Sequence, residues 1–442
     1  MKRTLVSLMS ILMALTVILA GCGQQKESTG TPAVGTPAAG TPAAGTPAAG
    51  TTDKKVKLSF LSWYNEDAMK PVIEAFNKTH PNIEIEVQFA PPTKDYIEKL
   101  KVLSVANEMP DLFYLAAENR IEMMKNGYVA DISDLPVFKN LNESNKQAYV
   151  YEGKTYAFAP DAWVGGIIYN KKLFAQAGVT PPKTWSELMT VMGKLQKAKI
   201  RPIIERGEWL WTLADNLVTS DVVGKNPNYD AEVLSGKRTY AEGWTAPLTK
   251  WYEEAVKPGF VGKDLLGVAS QQFLNEFATE KAAMLIGHAG HMKEIKKINP
   301  NIDLGVFPFV GTDAGTTQLY GAVNVGLAVG SKTKYKQEAT EFINFLGTQE
   351  GITPYQKVTG FMVGIPGIKY EVDPALNEIK DLYVSNKAKL YLPAVAFGEN
   401  SNAILNELVK GIQDVVSGKA KPEEVPLRMD KKKAELDELK KK

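Results

Sequence analysis

Residues 56–89 read VKLSFLSWYNEDAMKPVIEAFNKTHPNIEIEVQF, and their hydrophobic pattern decides the fold class. Apolar side chains first alternate with polar ones, which predicts a strand. They then recur at helical spacing at Met69, Val72 and Phe76, and they alternate again after residue 82. The segment therefore predicts a strand, a helix and a second strand in succession.

The same alternation of elements continues along the chain. Residues 95–105 predict a second helix, and residues 112–115 predict a short buried strand. Strands that alternate with helices indicate an α/β fold with a mainly parallel sheet. Ligands of such sheets bind beyond the carboxyl ends of the strands. Two segments, Trp63–Glu66 and Ala116–Asn119, are therefore expected at a candidate site.

The first 22 residues resemble the export signal of a bacterial lipoprotein. Lys2 and Arg3 precede an apolar stretch of roughly 16 residues, shorter than the about 20 that a membrane-spanning helix needs. Residues 19–22, LAGC, then resemble a lipobox, in which the Cys22 thiol is lipidated and becomes the first residue. We expect a signal peptide at residues 1–21 and a lipid anchor on Cys22. The alternative is an ordinary signal peptide with an incidental cysteine.

Residues 22–53 are expected to form a disordered tether that holds the folded body near the membrane. Residues 31–50 consist of one TPAVG and three TPAAG pentapeptides and contain no large apolar side chain. Such a segment cannot offset the entropy lost on folding.

Composition excludes several classes of function. The 442 residues include 52 Lys and Arg against 50 Asp and Glu, and removal of residues 1–21 takes two basic residues and no acid. The balance leaves no basic surplus for nucleic acid or an anionic membrane. One cysteine and three histidines give no disulfide framework and little basis for a metal site. We expect two or more domains, no cofactor, no metal and no nucleic-acid partner.

Several short motifs, spread from Val56 to about Gly418, point to one protein family through their order and spacing. They are EAFNKTHPNI at 74–83, DYIEKL at 95–100, MPDL at 109–112, GKTY at 153–156, IYNKKLF at 168–174, PKTWSEL at 182–188, KAAM at 281–284 and EATEFINFL at 338–346. Together they resemble the extracellular solute-binding proteins of bacterial ABC sugar importers, family 1, which are similar to maltose-binding protein.

The resemblance implies a type II periplasmic-binding-protein-like fold, with two α/β lobes and a ligand cleft between them. Matched segments place three crossovers between the lobes, near Asp161–Gly166, Asp303–Val306 and Gly326–Gly330. One lobe would comprise 54–162 and 306–326, and the other 163–305 and 327–442. A hinge of several strands would let the lobes close round a ligand.

The candidate ligand-binding residues are aromatic and polar side chains at predicted strand ends and crossovers. Sugars present C–H groups on their faces and hydroxyls at their edges, so their binding needs flat rings together with carboxylates or amides. The family also suggests a hydroxyl-binding acid at Glu118. The alternative for each tryptophan is core packing, which we favour for Trp244 and Trp251. The candidates are Trp63, Tyr64, Asn65, Glu66, Glu118, Asp161, Trp163, Trp209, Trp211 and Asn324, with Glu399 and Asn400 as weaker ones.

The segment after Ile286 departs from the family pattern, which has a Gly-rich turn and a sugar-stacking tryptophan there. This chain has GHAGH at 287–291. Histidine can stack and can form hydrogen bonds, so His288 and His291 are candidate ligand contacts. A two-histidine metal site is the alternative, although no acid lies at helical spacing beside them. The missing tryptophan leaves the class of ligand open.

We expect a monomeric receptor that captures a sugar or oligosaccharide outside the cell and delivers it, in its closed form, to the membrane permease of an ABC importer. Three alternatives stay open. A secreted glycoside hydrolase would use paired carboxylates from among Glu66, Glu118, Asp161 and Glu208. A surface adhesin would use the tether, and a receptor of the same fold could bind a non-sugar solute.

Overall fold

The computed structural model describes residues 55–91, 94–313 and 317–440. The predicted signal peptide, the lipidation site at Cys22 and the predicted tether lie outside the described residues. Across the described ranges, none of the helices combines the length and the apolar character that crossing a bilayer requires.

The strands of the described chain are short, apart from β1, β2, β7 and β9. Their bounds are β1 (Val56–Ser62), β2 (Ile83–Phe89), β3 (Leu112–Leu115), β4 (Val150–Tyr151), β5 (Lys154–Thr155), β6 (Ala157–Phe158), β7 (Asp161–Asn170), β8 (Arg201–Ile203), β9 (Ala282–His288), β10 (Leu304–Phe307), β11 (Leu319–Val323), β12 (Gly326–Val329), β13 (Met362–Val363) and β14 (Leu390–Tyr391).

The α-helices alternate with these strands over much of the chain, and single turns of other helix types connect some of them. Their bounds are α1 (Glu66–Asn77), α2 (Lys94–Ala106), α3 (Arg120–Lys125), α4 (Glu143–Gln147), α5 (Lys171–Gln176), α6 (Trp185–Lys197), α7 (Thr212–Leu217), α8 (Tyr229–Leu234), α9 (Tyr240–Trp251), α10 (Ser270–Ala278), α11 (Ala289–Ile298), α12 (Lys336–Leu346), α13 (Gln349–Thr359), α14 (Asn377–Val384), α15 (Pro393–Ala396), α16 (Ser401–Ser417) and α17 (Glu424–Lys440).

The first sheet has the strand order β2-β1-β3-β12-β6. Strand β1 pairs in parallel with β2 and with β3, and β12 runs antiparallel to β3. Helix α1 begins after Asn65, whose side chain accepts a hydrogen bond from the Ala68 amide at 2.9 Å, and it buries the Met69, Val72 and Phe76 face that the sequence predicts. Strand, helix and strand over residues 56–89 are thus confirmed.

The second sheet is built around β7, and its main strand order is β14-β11-β7-β9-β8. Strands β9, β10, β11 and β13 all pair antiparallel with β7. Helix α6 begins with a capping box, because the Glu187 amide donates to Thr184 and the Glu187 carboxylate accepts from the Lys183 amide. Trp185 is completely buried in the core of this lobe.

Each sheet has a separate hydrophobic core, and the cores correct the expected division of the chain. Residues 304–307 and 319–323, expected partly in the first lobe, pair with β7 in the second sheet. Residues 326–359, expected in the second lobe, contribute β12, α12 and α13 to the first core. Strand pairing between distant segments decides which lobe a segment belongs to. The local hydrophobic pattern contains no information about that pairing.

The crossovers between the lobes lie at residues 159–161, at 324–325 and within 360–372. The first lies beside the expected position, and the second is within a few residues of the expected Gly326–Gly330. The expected crossover near Asp303–Val306 is wrong, because β10 begins there and pairs with β7.

Hydrogen bonds tie the three crossovers to one another. The Asn324 amide donates to the Asp161 carbonyl at 3.0 Å, and the Gly364 amide donates to the Pro160 carbonyl at 2.7 Å. Buried Asn145 adds a side-chain link, since its Nδ2 donates to the Ala159 carbonyl at 2.8 Å and its Oδ1 accepts from the Tyr383 hydroxyl at 2.6 Å. The hinge is therefore a connected hydrogen-bonded unit.

Asn145→Ala is expected to lower the free energy of unfolding by about 2–4 kcal/mol, because it leaves two buried polar groups without partners. Urea unfolding followed by circular dichroism measures the change. Asn301→Ala, at an exposed position, is the control and should change stability by less than about 0.5 kcal/mol. Equal effects of the two substitutions would contradict the role of Asn145.

Candidate functional site

The strand ends beside the hinge bring most of the predicted site residues to one region. Strand β12 begins beside the end of β3, since Gly326 pairs with Leu115, and β1 ends at the same edge because it runs parallel to β3. In the second sheet, β7 begins where β9 and β11 end. The loops that follow these strand ends carry the candidates, and the hinge crossovers join the two edges.

Asp161 and Asn324 form a polar pair at the base of this region. Asn324 Nδ2 donates to Asp161 Oδ1 at 3.1 Å, while Asp161 Oδ2 is buried without a hydrogen-bond partner. Burial raises the pKa of Asp161 to about 6, and the neighbouring Thr359 and Asn324 side chains oppose part of that rise. The unpartnered Oδ2 is an acceptor that a ligand hydroxyl could satisfy.

The four predicted site residues that follow β1 differ in burial and in their contacts. The Tyr64 hydroxyl lies close to Asn324 and Asp161, and the pKa of Tyr64 is raised by burial and by the Asp161 carboxylate. The Trp63 ring meets Tyr96 edge to face with centroids 5.6 Å apart, and its buried Nε1 has no partner. Asn65 caps α1, and Glu66 is an exposed residue of its first turn.

Trp163 is the half-buried aromatic residue at the start of β7. Its ring centroid lies 5.4 Å from that of His288, and 5.4 Å from Tyr320, which it meets edge to face. Tyr320 is a residue that the sequence reasoning missed, because an inward-facing tyrosine in a strand carries no local signal of function. The three rings form an aromatic wall on the second lobe, and the partly exposed Trp163 ring is its accessible part.

Trp209 and Trp211 follow β8 and stack on each other with centroids 5.6 Å apart. Trp209 is half-buried, but Trp211 is only 2% exposed and belongs to the core. The structure thus corrects the expectation for Trp211, whose ring supports Trp209 from below the surface.

Arg206 is a second residue that the sequence reasoning missed. Its Cζ lies 4.2 Å from the centroid of the Trp209 ring and 5.8 Å from that of Phe273, and its Nη1 donates to Ser270 at 3.1 Å. Cation–π contact at this distance holds a ring in place. One face of Trp209 is therefore covered by Arg206, which limits how a ligand can stack on this ring.

His288 and His291 lie side by side, with ring centroids 4.2 Å apart. His288 caps α11, because its Nδ1 accepts from the Gly290 amide at 3.1 Å. Burial, together with Arg206, lowers the pKa of His288 to about 4, and burial, His288 and Arg206 lower that of His291 to about 3. Both rings are neutral at pH 7, and a side chain at Gly287 would collide with His291 Nδ1.

The structure does not favour the two-histidine metal site. One nitrogen of His288 is engaged in the helix cap, and the positive Arg206 acts on both rings. Within the described ranges, no group of three His, Cys, Asp or Glu side chains could hold a metal ion.

Glu118 lines a cavity of about 610 Å³. Both lobes contribute to it, the first through Ala117–Asn126 and the second through α8 and residues 395–400, which include Glu399 and Asn400. Arg120, Val395 and Ala396 also line a neighbouring cavity of about 260 Å³ that reaches Val323, next to Asn324. The cleft therefore runs from the Glu118 end, where acidic and basic side chains both line it, to the hinge.

A hinged pair of α/β lobes, with aromatic and polar side chains at the facing edges, defines a two-lobe ligand-binding protein. The family model described as "Bacterial extracellular solute-binding protein" matches residues 62–352, and the chain belongs to that family. It is a family of extracellular binding proteins, which separates this chain from the glycoside hydrolases and adhesins considered above.

Individual relatives agree with this assignment. The multiple sugar-binding protein of Streptococcus mutans is 24% identical over 432 residues, with 92% of this chain and 95% of the relative covered. The melibiose/raffinose/stachyose-binding protein MelE of Bacillus subtilis is 22% identical, with 84% and 83% covered. A family 1 extracellular solute-binding protein from Bifidobacterium longum subsp. infantis superposes with a TM-score of 0.76 at 25% identity, over 86% of this chain and 99% of that one.

Glu205, next to Arg206, is a buried acid that local sequence did not single out. Its Oε1 accepts from the Ile286 amide at 3.2 Å, and burial raises its pKa to about 8. The Glu205 carboxyl is therefore neutral in the folded protein at pH 7. Its hydrogen bond with the Ile286 amide fixes the end of β9 just before His288.

The raised pKa of Glu205 predicts a loss of stability with rising pH. An ordinary glutamate has a pKa near 4.3 when unfolded, so between about pH 4.3 and pH 8 the folded state holds the extra proton. The free energy of unfolding should fall across this window, by at most about 1.4 kcal/mol per pH unit from this group. Glu205→Gln should remove this contribution, and Glu208→Gln, at an exposed site, should not. Identical stability–pH curves for wild type and Glu205→Gln would refute the contribution of Glu205 to the pH dependence.

Proposed function

We propose that this protein is the lipid-anchored substrate-binding subunit of an ABC importer and captures a sugar or oligosaccharide in the cleft between its lobes. The observation that carries the proposal is the placement of aromatic rings and unpartnered polar groups at the hinge-side edges of both sheets. Ligand binding would favour the closed arrangement of the lobes, which the permease would then recognise.

The chemistry of the site suits a carbohydrate. The half-buried rings of Trp163, Trp63 and Trp209 offer apolar surface for the C–H faces of sugar rings. Asp161 Oδ2 and Glu118 offer acceptors for hydroxyl groups, and Asn324 lies where it can share in such a network. A neutral histidine pair beside Trp163 adds donors and acceptors without a charge.

The relatives narrow the class of ligand. The name of one relative specifies multiple sugars, and that of the other specifies melibiose, raffinose and stachyose. A cleft of several hundred cubic ångströms, open to solvent at the Glu118 end, has room for more than one sugar unit. We infer that the ligand is an oligosaccharide, with its best-bound unit near Trp163 and Asp161.

The first 53 residues support the anchoring part of the proposal. The lipobox-like LAGC at 19–22 supports a lipid on Cys22, and the residues between Cys22 and the folded body would separate that lipid from the binding cleft. Mass spectrometry of the membrane fraction tests the lipid on Cys22, and Cys22→Ser should release the protein from cells.

A ligand screen tests sugar binding directly. Isothermal titration with melibiose, raffinose, stachyose and neutral control disaccharides should give saturable binding for one group of sugars. Trp163→Ala should weaken that binding at least tenfold, because the accessible part of the aromatic wall is lost.

Tyr335→Ala is the matched control for Trp163→Ala, since this exposed tyrosine follows the end of β12 farther from the hinge. It should leave the affinity unchanged. Binding of no sugar by the folded protein would overturn the proposed ligand class. Equal loss of affinity in both variants would overturn the role of Trp163.

The hinge carboxyl predicts a pH dependence of affinity. A sugar hydroxyl that donates to Asp161 Oδ2 stabilises the ionised carboxylate, whose pKa in the free protein is about 6. Affinity should therefore be constant above pH 7 and fall by about tenfold by pH 5. Titrations at four pH values measure this. Asp161→Asn should abolish the dependence, and a pH-independent wild type would show that Asp161 does not contact the ligand.

A further inference from the structure

Arg120, at the start of α3, lies where the two cavities of the cleft meet. The outer cavity, of about 610 Å³, lies between α3 of the first lobe and α8 and residues 395–400 of the second. The inner cavity, of about 260 Å³, reaches Val323 beside the hinge. Among the described residues of the first lobe, Arg120 alone lines both cavities, and Val395 and Ala396 of the second lobe line both as well. These three residues therefore surround the passage from one cavity to the other.

The first lobe holds the Arg120 side chain in one orientation. Its Nη1 donates to the Ala148 carbonyl at 2.7 Å, and its Cζ lies 5.7 Å from the centroid of the Tyr149 ring. Tyr149 is itself fixed, because its hydroxyl lies 2.9 Å from the Leu115 carbonyl and 2.8 Å from the Asn324 carbonyl. The guanidinium is therefore oriented before a ligand arrives, which lowers the entropy that binding costs.

Most of the hydrogen-bonding capacity of Arg120 is unused. A guanidinium carries five N–H donors, and within the described residues that of Arg120 donates to Ala148 and forms no ion pair. Four donors remain on a half-buried group that lines both cavities. These donors are available to the oxygen atoms of a bound ligand.

The charges of the lining favour an uncharged ligand at Arg120. The outer cavity is lined by the carboxylates of Glu118, Glu122 and Glu399 and by the cations of Arg120 and Lys125. Three acids against two bases give no net attraction for a ligand carboxylate or phosphate. The acceptors that suit Arg120 are therefore neutral hydroxyl and ring oxygens, which sugars supply.

The two lobes offer complementary surfaces in the passage. Val395 and Ala396, in α15, present an apolar wall from the second lobe, while Arg120 presents N–H donors from the first. A sugar ring has C–H groups on its faces and oxygens at its edge, so one unit in the passage can satisfy both walls. Because that unit contacts both lobes, it favours their closed arrangement.

We propose that Arg120 is a ligand-binding residue that determines the preferred length of the sugar chain. Its free N–H groups donate to oxygens of the unit that occupies the passage. A chain reaches the passage when it extends from the hinge towards the outer cavity, so long chains bind more tightly than short ones. This inference rests on the proposed function and adds to it the residue that distinguishes long chains from short ones.

Isothermal titration with melibiose and stachyose, a disaccharide and a tetrasaccharide, tests the proposal. If another group of sugars binds in the ligand screen, its short and long members replace them. The wild-type protein should bind the longer sugar about tenfold more tightly, because hydrogen bonds from a charged donor are added. Arg120→Gln should remove most of this preference and change the affinity for the shorter sugar by less than about twofold.

Arg201→Gln is the matched control. Arg201 lies at the start of β8 opposite Ala282, whereas β9 runs in parallel from Ala282 to His288, so Arg201 lies at the far end of the sheet from the site. This variant should keep both affinities. If Arg120→Gln does not fold, Arg120→Lys, which keeps the charge and loses the planar fork of donors, should reduce the preference by about threefold.

Equal wild-type affinities for the long and the short sugar would overturn the role of Arg120. So would an unchanged preference in the folded Arg120 variant. An equal loss of affinity for both sugars would show that Arg120 only supports Ala148 and Tyr149, and it would overturn the inference while leaving the proposed function intact. Binding of no sugar by the folded wild-type protein would overturn the proposed function and this inference with it.

Discussion

The hydrogen bonds between Asp161 and Asn324 join two of the three strand crossovers on which the rest of the structure depends. The backbone bond sets the register of the crossovers, and the side-chain bond places a carboxylate and an amide at the base of the cleft. Tyr149 extends this link into the first lobe, because its hydroxyl lies 2.9 Å from the Leu115 carbonyl and 2.8 Å from the Asn324 carbonyl. The hinge and the candidate site are therefore built from the same residues.

Burial of ionisable groups gives the second lobe its electrostatic character. The raised pKa values of Glu205 and Asp161 and the lowered values of His288 and His291 have one main cause, desolvation, which favours the neutral form of each group. Glu205 and both histidines are therefore neutral at pH 7, and neutral polar groups beside aromatic rings suit an uncharged, hydroxyl-rich ligand. Arg206 is a charged residue beside the two histidines, and its guanidinium is engaged by Trp209 and Ser270.

The individual strands and helices are predictable from the sequence, but the pairing between distant strands is not. The strand and helix of residues 56–77 follow from their side-chain spacing, whereas Asn65, which the sequence offered as a ligand contact, caps α1. The division into lobes was placed wrongly after residue 303, because β10 and β11 pair with β7 more than a hundred residues earlier. Hydrophobic alternation shows that a strand is buried and does not show which strand lies beside it.

The sequence by itself determined the α/β class, the order of the strands and helices along the chain, and the aromatic and acidic residue types offered at strand ends. These depend on interactions between neighbours in the chain. Only the tertiary structure decided that Trp211 is core while Trp163 is accessible, that Arg206 covers one face of Trp209, and that Asp161 faces Asn324. Those outcomes depend on burial and on contacts between residues far apart in sequence, because strand pairing and packing determine which side chains share a solvent-excluded space.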